Sequence, residues 1–393
     1  METIKFELHD MATMMTALLC FLFATMIVAS GKYRPISACL LAGFFLSQSF
    51  VSLHELVLYG DQFRYIVLHS SPNWFFIGSL GYALNGPLLY LYVISIIRSD
   101  FNLGFRHCWH LLPLVVYFLF LVFAFYSQTH MQKVALIDLY QFDLDWQFVT
   151  MDTLIKSSRF AYFIMSIYLI NIYREQLKDS RSNIENIDLA WLKILVLGFA
   201  AVTLVGVVLS LSKVINLFQP VDINLQIFLG LTTYYADLIL VCFLLFFSAV
   251  NASSVEKVKD QTKSSYDDYQ ADDEYVSRIL KFMDNEKPYL KSNITLDALS
   301  ELIDVPAREL TAILNGHFKM NFYEFINNYR IKEAKEILAA DSSQEKTISD
   351  IFLAVGFNSK SVFNTFFKKN VGVTPTEFRK QLNTGKLAPD SLN

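Results

Sequence analysis

Residues 347–380 have the sequence TISDIFLAVGFNSKSVFNTFFKKNVGVTPTEFRK, which predicts two helices joined by a tight turn and then a third, short helix. Thr347 and Asp350 are spaced as in a capping box, in which two side chains satisfy free backbone amides at the start of a helix. Gly356 supplies the positive φ angle that a tight turn between helices requires. Thr374, followed by a proline, opens the last helix. The segment is therefore predicted to be a helix-turn-helix with one further helix.

The second helix of this segment is predicted to start at a cap formed by Asn358 or Ser359 and to run to about Asn370. Its apolar side chains fall at helical spacing and are expected to face a core: Val362, Phe363, Phe366 and Phe367. The side chains left facing outward are amides, hydroxyls and lysines: Lys360, Ser361, Asn364, Thr365 and Lys368. Such a surface suits the major groove of DNA, where side chains meet base edges and phosphates. A capped helical hairpin that binds nothing is the alternative interpretation.

A second helix-turn-helix unit is predicted upstream, between Thr295 and about Phe318. Thr295 is the expected cap of its first helix, and Asp304 occupies the turn, where aspartate tolerates left-handed geometry better than most residues. The outward candidates on its second helix are Arg308, Glu309, Thr311, Ala312 and Asn315. Residues 321–340 are predicted to form one long helix with a broad apolar stripe, which joins the two units as a rigid spacer.

Three sequence patterns in this region resemble the DNA-binding domain of the arabinose-operon-activator (AraC) family. Residues 356–369 fit G-F-x-S-x-S-x-F-x-x-x-F-K-K, and residues 372–379 fit G-x-T-P-x-x-[YF]-R. The long helix carries Arg330-Ile331-x-x-Ala334-x-x-Ile337-Leu338, which is similar to the family's linker helix. The resemblance covers residues 290–381. It departs at Phe352, where the family usually has a small alanine, and at Thr365, where arginine is frequent.

The resemblance implies that two recognition helices enter neighbouring major-groove segments of double-stranded promoter DNA, about 34 Å apart. Carried over position by position, the base contacts fall to Arg308, Thr311, Lys360, Ser361, Asn364 and Thr365. The phosphate contacts, which position the protein without specifying sequence, fall to Lys319, Lys368 and Lys369. A homodimer on DNA is left open, since one chain already carries two recognition helices.

The part of the chain before residue 251 is too apolar for an ordinary soluble domain. Hydrophobic residues make up 53% of the 393 residues, and 35 of them are phenylalanine. Seven apolar runs are long enough for transmembrane helices: 11–30, 36–59, 74–97, 111–126, 158–173, 191–211 and 223–250. We therefore expect an all-α chain with a seven-helix transmembrane sensor region (1–250), a cytoplasmic linker (251–271) and a soluble AraC-type DNA-binding domain (272–393).

The distribution of basic residues predicts the orientation in the lipid bilayer. With the N-terminus outside, the inner segments hold eleven Lys and Arg residues and the outer segments hold six. Because positive residues favour the cytoplasmic side, the C-terminal domain is expected in the cytoplasm, where the DNA is. The predicted location is the inner membrane of a bacterium. The seventh run and the linker are expected to pass a signal to the DNA-binding domain.

Polar side chains within the apolar runs are candidate ligand-sensing residues, since such groups are costly in a bilayer. The candidates are His54, Glu55, Asn85 and Asp237. Hydrogen bonds that only hold helices together are the alternative interpretation. Residues 85–92, NGPLLYLY, resemble part of the seven-helix sensor regions that precede such DNA-binding domains in some bacterial proteins. That resemblance implies a receptor for a small-molecule or membrane signal and does not identify the signal.

No residue pattern predicts catalysis, a metal site or a cofactor. His54-Glu55 begins like the H-E-x-x-H motif of metalloproteases, but Leu58 stands in place of the second histidine. The four cysteines are scattered over the apolar half, which disfavours a zinc finger or a disulfide framework. The predicted function is a membrane-bound, sequence-specific transcriptional regulator and not an enzyme. The alternatives are a membrane transporter or enzyme with a regulatory helical tail, and a membrane scaffold whose tail binds protein.

Overall fold

The structure is a computed structural model that describes residues 7–30, 35–98, 101–183, 189–250, 273–340 and 345–384. Over these residues the regular elements are helices, and the β pairing is limited to an isolated bridge between Arg181 and Thr295. The described part of the chain is thus all-α, as predicted. It divides into two compact units, Met1–Ile170 with Leu189–Asp260 and Asn171–Asp188 with Gln261–Asn393. The predicted linker, 251–271, lies outside the described residues.

The first unit is built from long apolar helices and shorter connecting ones. Its helices are α1 (Leu8–Ser30), α2 (Pro35–Tyr59), α3 (Asp61–Ser70), α4 (Leu80–Ile97), α5 (Leu112–Leu121), α6 (His130–Asp138), α7 (Trp146–Lys178), α8 (Leu189–Asn216) and α9 (Ile223–Val250). A 3₁₀ segment (Phe105–Leu111) precedes α5 and a π-helical turn (Val122–Tyr126) follows it. The last residues of α7 belong to the second unit.

Six helical stretches in the described residues are long and apolar enough to cross a bilayer. They are Leu8–Ala29, Pro35–Tyr59, Leu80–Ile97, Phe105–Tyr126, Trp191–Asn216 and Ile223–Phe247. The remaining predicted run, 158–173, lies inside α7, which is helical over 33 residues but carries charged side chains such as Asp152, Lys156 and Arg159. The structure therefore supports six candidate spans by length and composition, and a seventh crossing through α7 stays a prediction.

Aromatic rings and a glycine contact pack the helices of the first unit. The ring of Phe45 on α2 lies 4.5 Å from that of Phe23 on α1, and Phe44 lies 4.9 Å from Phe199 on α8. Gly81 lets α4 approach α2 closely, because a Cβ atom there would lie 2.5 Å from the Ser47 carbonyl oxygen.

The second unit contains seven helices among its described residues: α10 (Asp273–Glu286), α11 (Leu296–Ile303), α12 (Ala307–Gly316), α13 (Phe322–Ala340), α14 (Ile348–Ala354), α15 (Lys360–Val371) and α16 (Pro375–Asn383). Helices α11 and α12 lie at the positions predicted for the first helix-turn-helix pair, and α14 and α15 lie at those predicted for the second. Asp304 and Gly356 take positive φ angles of 53° and 91° in the two turns. The predicted turn chemistry is present at both places.

Four helix starts of the second unit, those of α11, α14, α15 and α16, are capped by the side chains that the sequence indicates. The Asp350 amide donates to Thr347 Oγ1 over 3.1 Å, and the Thr347 amide donates to the Asp350 carboxylate over 2.9 Å. Thr374 and Glu377 make the same reciprocal pair at α16. Of the two alternatives at α15, Ser359 is the cap. These caps satisfy amides that have no partner within their own helices.

Two details of the second unit differ from expectation or were not foreseen. The prediction that Ala312 faces outward was wrong: its side chain is 1% exposed, because α12 buries a wider face than the apolar spacing indicates. The buried face of α13 also contains two polar residues, Asn327 and Arg330, each 0% exposed. The large ring at Phe352 is accommodated beside Phe363, with the ring centroids 6.1 Å apart.

Candidate functional site

Helix α15 separates an apolar face from a polar one. Phe363, Phe366 and Phe367 are buried on one side. Asn364 is half-buried on α15. The other five predicted DNA-contacting side chains of this helix are exposed: Lys360, Ser361, Thr365, Lys368 and Lys369. Thr365 Oγ1 donates to the Ser361 carbonyl over 2.9 Å, which leaves its oxygen free to accept. The helix thus presents lysine, amide and hydroxyl groups on the side opposite its buried phenylalanines.

Helix α12 presents fewer candidates. Arg308 is exposed near its N-terminus, whereas Thr311 is half-buried and donates its hydroxyl hydrogen to the Ala307 carbonyl over 2.8 Å. An exposed arginine can donate two parallel hydrogen bonds to guanine in the major groove. On this helix Arg308 is therefore the better placed of the two predicted base contacts.

The three predicted phosphate contacts are exposed, but they are not equally free. Lys319 follows α12 with a positive φ angle of 54°, and Lys368 lies in the last turn of α15. Lys369 forms an ion pair with Glu324 over 3.2 Å, so binding a phosphate there requires that the pair be exchanged. Both acids of residues 346–380 are engaged in capping boxes: hydrogen bonds from Thr347 lower the pKa of Asp350, and those from Thr374 lower the pKa of Glu377.

Arg330 joins the parts of the second unit around one buried guanidinium. Its Nε donates to the Tyr289 carbonyl over 2.8 Å, and Nη2 donates to the carbonyls of Lys291 and Ser292 over 2.9 and 3.1 Å. Nη1 donates to Asn327 Oδ1 over 3.0 Å. The guanidinium also lies 5.5 Å from the ring centre of Phe357, in the turn of the second helix-turn-helix pair. Arg330 thereby links α13 to residues 289–292, which precede α11, and to the turn of the second helix-turn-helix pair.

Residues 180–183, which directly follow α7, pack against this arginine. Arg330 donates to the Ser182 carbonyl and to Ser182 Oγ, each over 3.3 Å. The Ser182 hydroxyl donates to the Ile294 carbonyl over 2.7 Å, and the Leu296 amide donates to the Ser180 carbonyl over 3.0 Å. Asn183 Nδ2 donates to the Ser292 carbonyl over 2.5 Å. The 180–183 segment is thus an integral part of the second unit, which the sequence did not indicate.

The first unit contains a cavity of about 360 Å³ that is lined by both polar and apolar side chains. Three of the four predicted sensing residues line it: His54, Glu55 and Asp237. Asn85 lies outside the lining and is fully buried, donating to Gln48 Oε1 over 2.9 Å and to Ser47 Oγ over 3.2 Å. Asn85 therefore has the helix-joining contacts of the alternative interpretation, whereas the other three residues border open space.

Charged residues that the sequence analysis did not select also line this cavity. Lys213 pairs with Asp143 over 2.6 Å, and Lys156 pairs with Asp152 over 2.9 Å. Arg159 is the fifth of these residues, and it lies within the predicted run 158–173. The sequence could have indicated Arg159 by its position in an apolar run, because a charged side chain is costly in a bilayer and usually has a function there.

Comparisons with known proteins bear on the second unit. A protein family described as a helix-turn-helix domain matches residues 299–381. The C-terminal part of the chain carries an AraC-type helix-turn-helix domain. The melibiose operon regulatory protein of Escherichia coli (strain K12) is 29% identical over 106 residues, 27% of this chain and 33% of that protein. The transcriptional regulatory protein HptR of Staphylococcus aureus (strain NCTC 8325 / PS 47) is 28% identical over 130 residues, 33% of this chain and 47% of that protein.

These matches cover the AraC-type domain and leave much of each protein unmatched. The chain spans between a third and about half of the length of the two relatives. No solved structure matches it. The similarity therefore concerns the DNA-binding part, and the apolar unit has to be interpreted from its own residues.

Proposed function

We propose that this chain is a membrane-bound, sequence-specific transcriptional regulator that couples a signal in its apolar unit to gene expression. The observation that carries the proposal is the presence, in one chain, of an AraC-type domain and of six helices long and apolar enough to span a bilayer. Both relatives named above are regulators by name. No catalytic role is assigned to any residue.

The DNA-binding part of the proposal rests on the exposed faces of α12 and α15. Arg308, Lys360, Ser361 and Thr365 are exposed, and Asn364 and Thr311 are partly accessible beside them. We assign these six to base contacts and Lys319, Lys368 and Lys369 to phosphates. On α15, the assignment to phosphate is better supported for Lys368 than for Lys369, because Lys369 already has an acidic partner.

The membrane part of the proposal is supported by large apolar side chains on the outer faces of the same helices. Met26, Phe123, Ile239 and Phe246 are each more than 60% exposed. Apolar exposure on this scale is unfavourable in water and is expected for surfaces that contact lipid. With the basic residues concentrated on one side, we place the chain in the bacterial inner membrane with its C-terminal domain in the cytoplasm.

The 180–183 segment supplies a physical route for the coupling. It follows α7 directly, and its backbone and side chains bind Arg330, Ser292 and Ile294. A displacement of α7 would therefore act on Arg330, which joins α13 to residues 289–292 and to the turn of the second helix-turn-helix pair. The route first expected, from the seventh run through 251–271, involves residues that are not described.

The proposal is tested with the full-length protein in lipid nanodiscs, because residues before the linker belong to the second unit. The protein is incubated with a fragmented bacterial genome at two salt concentrations, and the retained DNA is sequenced. We expect enrichment of two short sequence blocks about one helical turn apart, with retention falling steeply as salt rises. Absence of retention at either salt concentration would overturn the proposal.

The charged residues that line the cavity of the first unit also favour a second candidate function, that of a transporter regulated by its helical tail. Ionised side chains around a cavity within apolar helices are common in transport pathways. Solute flux in vesicles that depends on Asp237 and survives removal of residues 273–393 would support this alternative. Flux that is absent from the intact protein would exclude it.

A further inference from the structure

The cavity in the first unit is lined by two opposite charges, Asp237 and Arg159, that form no direct ion pair among the described residues. Gln48 lies between them: its Nε2 donates to Asp237 Oδ2 over 3.1 Å, and its Oε1 accepts from Arg159 Nη2 over 3.2 Å. Asp237 Oδ1 and Arg159 Nε are buried and make no hydrogen bond. Arg159 is 5% exposed. Burying a charge is costly unless its hydrogen-bonding groups are satisfied, so a ligand that bonds to these two atoms would be stabilised here.

The other charges of the cavity lining are balanced by their neighbours. Lys213 is paired with Asp143 and Lys156 with Asp152. Glu55 differs, because it accepts hydrogen bonds from the hydroxyls of Tyr82 and Tyr234 and has no cation within ion-pair distance among the described residues. Once the two ion pairs are set aside, two carboxylates and one guanidinium remain. With the two lining histidines, His9 and His54, counted as neutral, the cavity therefore carries an excess of one negative charge.

The remaining lining suits an apolar ligand body with a polar end. Aromatic side chains line the cavity: Phe76, Tyr82, Tyr117, Phe120, Phe142 and Phe148. Aromatic faces attract organic cations, and a volume of about 360 Å³ is in the range of small-molecule sites. The Thr203 hydroxyl, 4% exposed, also borders the cavity without a hydrogen-bond partner.

We infer that this cavity binds a small organic amine in its protonated form. The ammonium group lies between Asp237 and Glu55, and its charge balances the excess of one carboxylate. Arg159 Nε donates to an acceptor on the ligand, a hydroxyl or a carbonyl oxygen, and the aromatic side chains enclose the apolar body. This inference deepens the proposed function by naming the class of signal. Binding of the amine does not depend on that function, but the effect of binding on gene expression rests on it.

The test uses three phenyl compounds that differ at one end of the molecule. They are 2-amino-1-phenylethanol, which is cationic, 1-phenyl-1,2-ethanediol, which is neutral, and mandelate, which is anionic. Binding to the full-length protein in nanodiscs is measured by equilibrium dialysis. We expect the amine to bind about tenfold or more tightly than the diol, and mandelate to bind most weakly. Equal binding of the three compounds, preference for mandelate, or no binding of the amine would overturn the inference.

Two variants connect binding to the named residues. Asp237→Asn should weaken binding of the amine about tenfold while leaving binding of the diol nearly unchanged. Asp138→Asn, which changes an exposed carboxylate of the same unit outside the cavity, is the matched control and should have no effect. If Asp237→Asn does not fold, Glu55→Gln replaces it. Unchanged binding in a folded cavity variant would contradict the inference.

DNA retention measured on the same samples separates this inference from the proposed function. If the amine binds and no DNA is retained at either salt concentration, the cavity assignment stands and the regulator proposal fails. If DNA is retained with an enriched motif and no amine binds, the regulator proposal stands and the cavity assignment fails.

Discussion

The two units each bury an arginine, and the two arginines are satisfied to different degrees. Arg330 is 0% exposed, and each nitrogen of its guanidinium donates to backbone or side-chain oxygens. Arg159 is 5% exposed and donates to Gln48, while its Nε has no partner. A fully bonded buried charge holds structure together, whereas a buried donor without a partner beside a cavity can bind a ligand's acceptor. We therefore assign Arg330 a structural role and propose Arg159 as part of a binding site.

The largest effect is expected when Arg330 is replaced by methionine. The carbonyls of Ser182, Tyr289, Lys291 and Ser292 would each lose one donor, and a buried carbonyl that is left unsatisfied costs about 1–3 kcal/mol. We expect the second unit to lose about 3 kcal/mol or more, seen as faster hydrogen exchange in peptides from α13. Arg308→Met, at an exposed position, is the control. Unchanged exchange in the Arg330 variant would refute the structural role.

The exposed charges of α15 should matter for DNA and not for folding. Lys360→Ala combined with Asn364→Ala removes a lysine and an amide from the face assigned to DNA. We expect a loss of about 2–4 kcal/mol in binding to the enriched sequence, with hydrogen exchange of the second unit unchanged. Lys332→Ala, on the exposed side of α13, is the control for a general loss of positive charge. Affinity equal to that of the control would disprove the assignment of this face.

A smaller effect is expected from acid on the caps of α14 and α16. The hydrogen bonds of Thr347 and Thr374 lower the pKa of Asp350 and of Glu377, so the ionised forms are favoured in the folded state. Their stabilising contribution is complete above the ordinary pKa values, about 4, and is lost as pH falls through the lowered values. Hydrogen exchange corrected for its intrinsic pH dependence should show these helix starts opening below about pH 4.

The matched variants for the acid experiment are Asp350→Asn with Glu377→Gln. In this double variant the caps no longer titrate, so exchange at the two helix starts should change little with pH. Glu301→Gln, at an exposed position outside the capping boxes, should behave like the unmodified protein. If the double variant opened in acid as the unmodified protein does, the caps would not be responsible.

The smallest effect on stability is expected for Arg159→Met. Arg159 is buried without an ion pair, and Gln48 Oε1 keeps its hydrogen bond from Asn85 when the arginine is removed, so the free energy of unfolding of the first unit should change by about 1 kcal/mol or less. The four tryptophans of the chain all lie before residue 192, so their fluorescence reports on this unit during denaturation. A destabilisation as large as that of Arg330→Met would show that Arg159, like Arg330, has a structural role.

Features determined by a few neighbouring residues could be predicted from the sequence. The capping pair of Thr347 and Asp350, the left-handed turns at Asp304 and Gly356 and the apolar face of α15 all depend on residues within four or five positions. They follow from backbone geometry and helical spacing. The AraC-type domain was recognisable for that reason.

Features that depend on distant residues could not be predicted. Arg330 binds Ser182, 148 positions away, and Arg159 binds Gln48, 111 positions away. Neither pair has a local signal, since nothing in the spacing shows which loops and helices meet. The burial of Ala312 could not be predicted from helical spacing either, because the width of a helix's buried face depends on which residues pack against it. His54, Glu55 and Asp237 were selected for being polar in apolar runs, and the cavity that they share emerged only from the fold.

The most direct test of the account asks whether the same molecules are in the membrane and on specific DNA. Bacterial cells that express the full-length chain are cross-linked, and their membrane and soluble fractions are separated. The DNA bound to the protein in each fraction is then sequenced. The account predicts that specific DNA fragments co-purify with the protein in the inner-membrane fraction, and that Lys360→Ala with Asn364→Ala removes them. Specific DNA recovered only from the soluble fraction, or none from either, would contradict it.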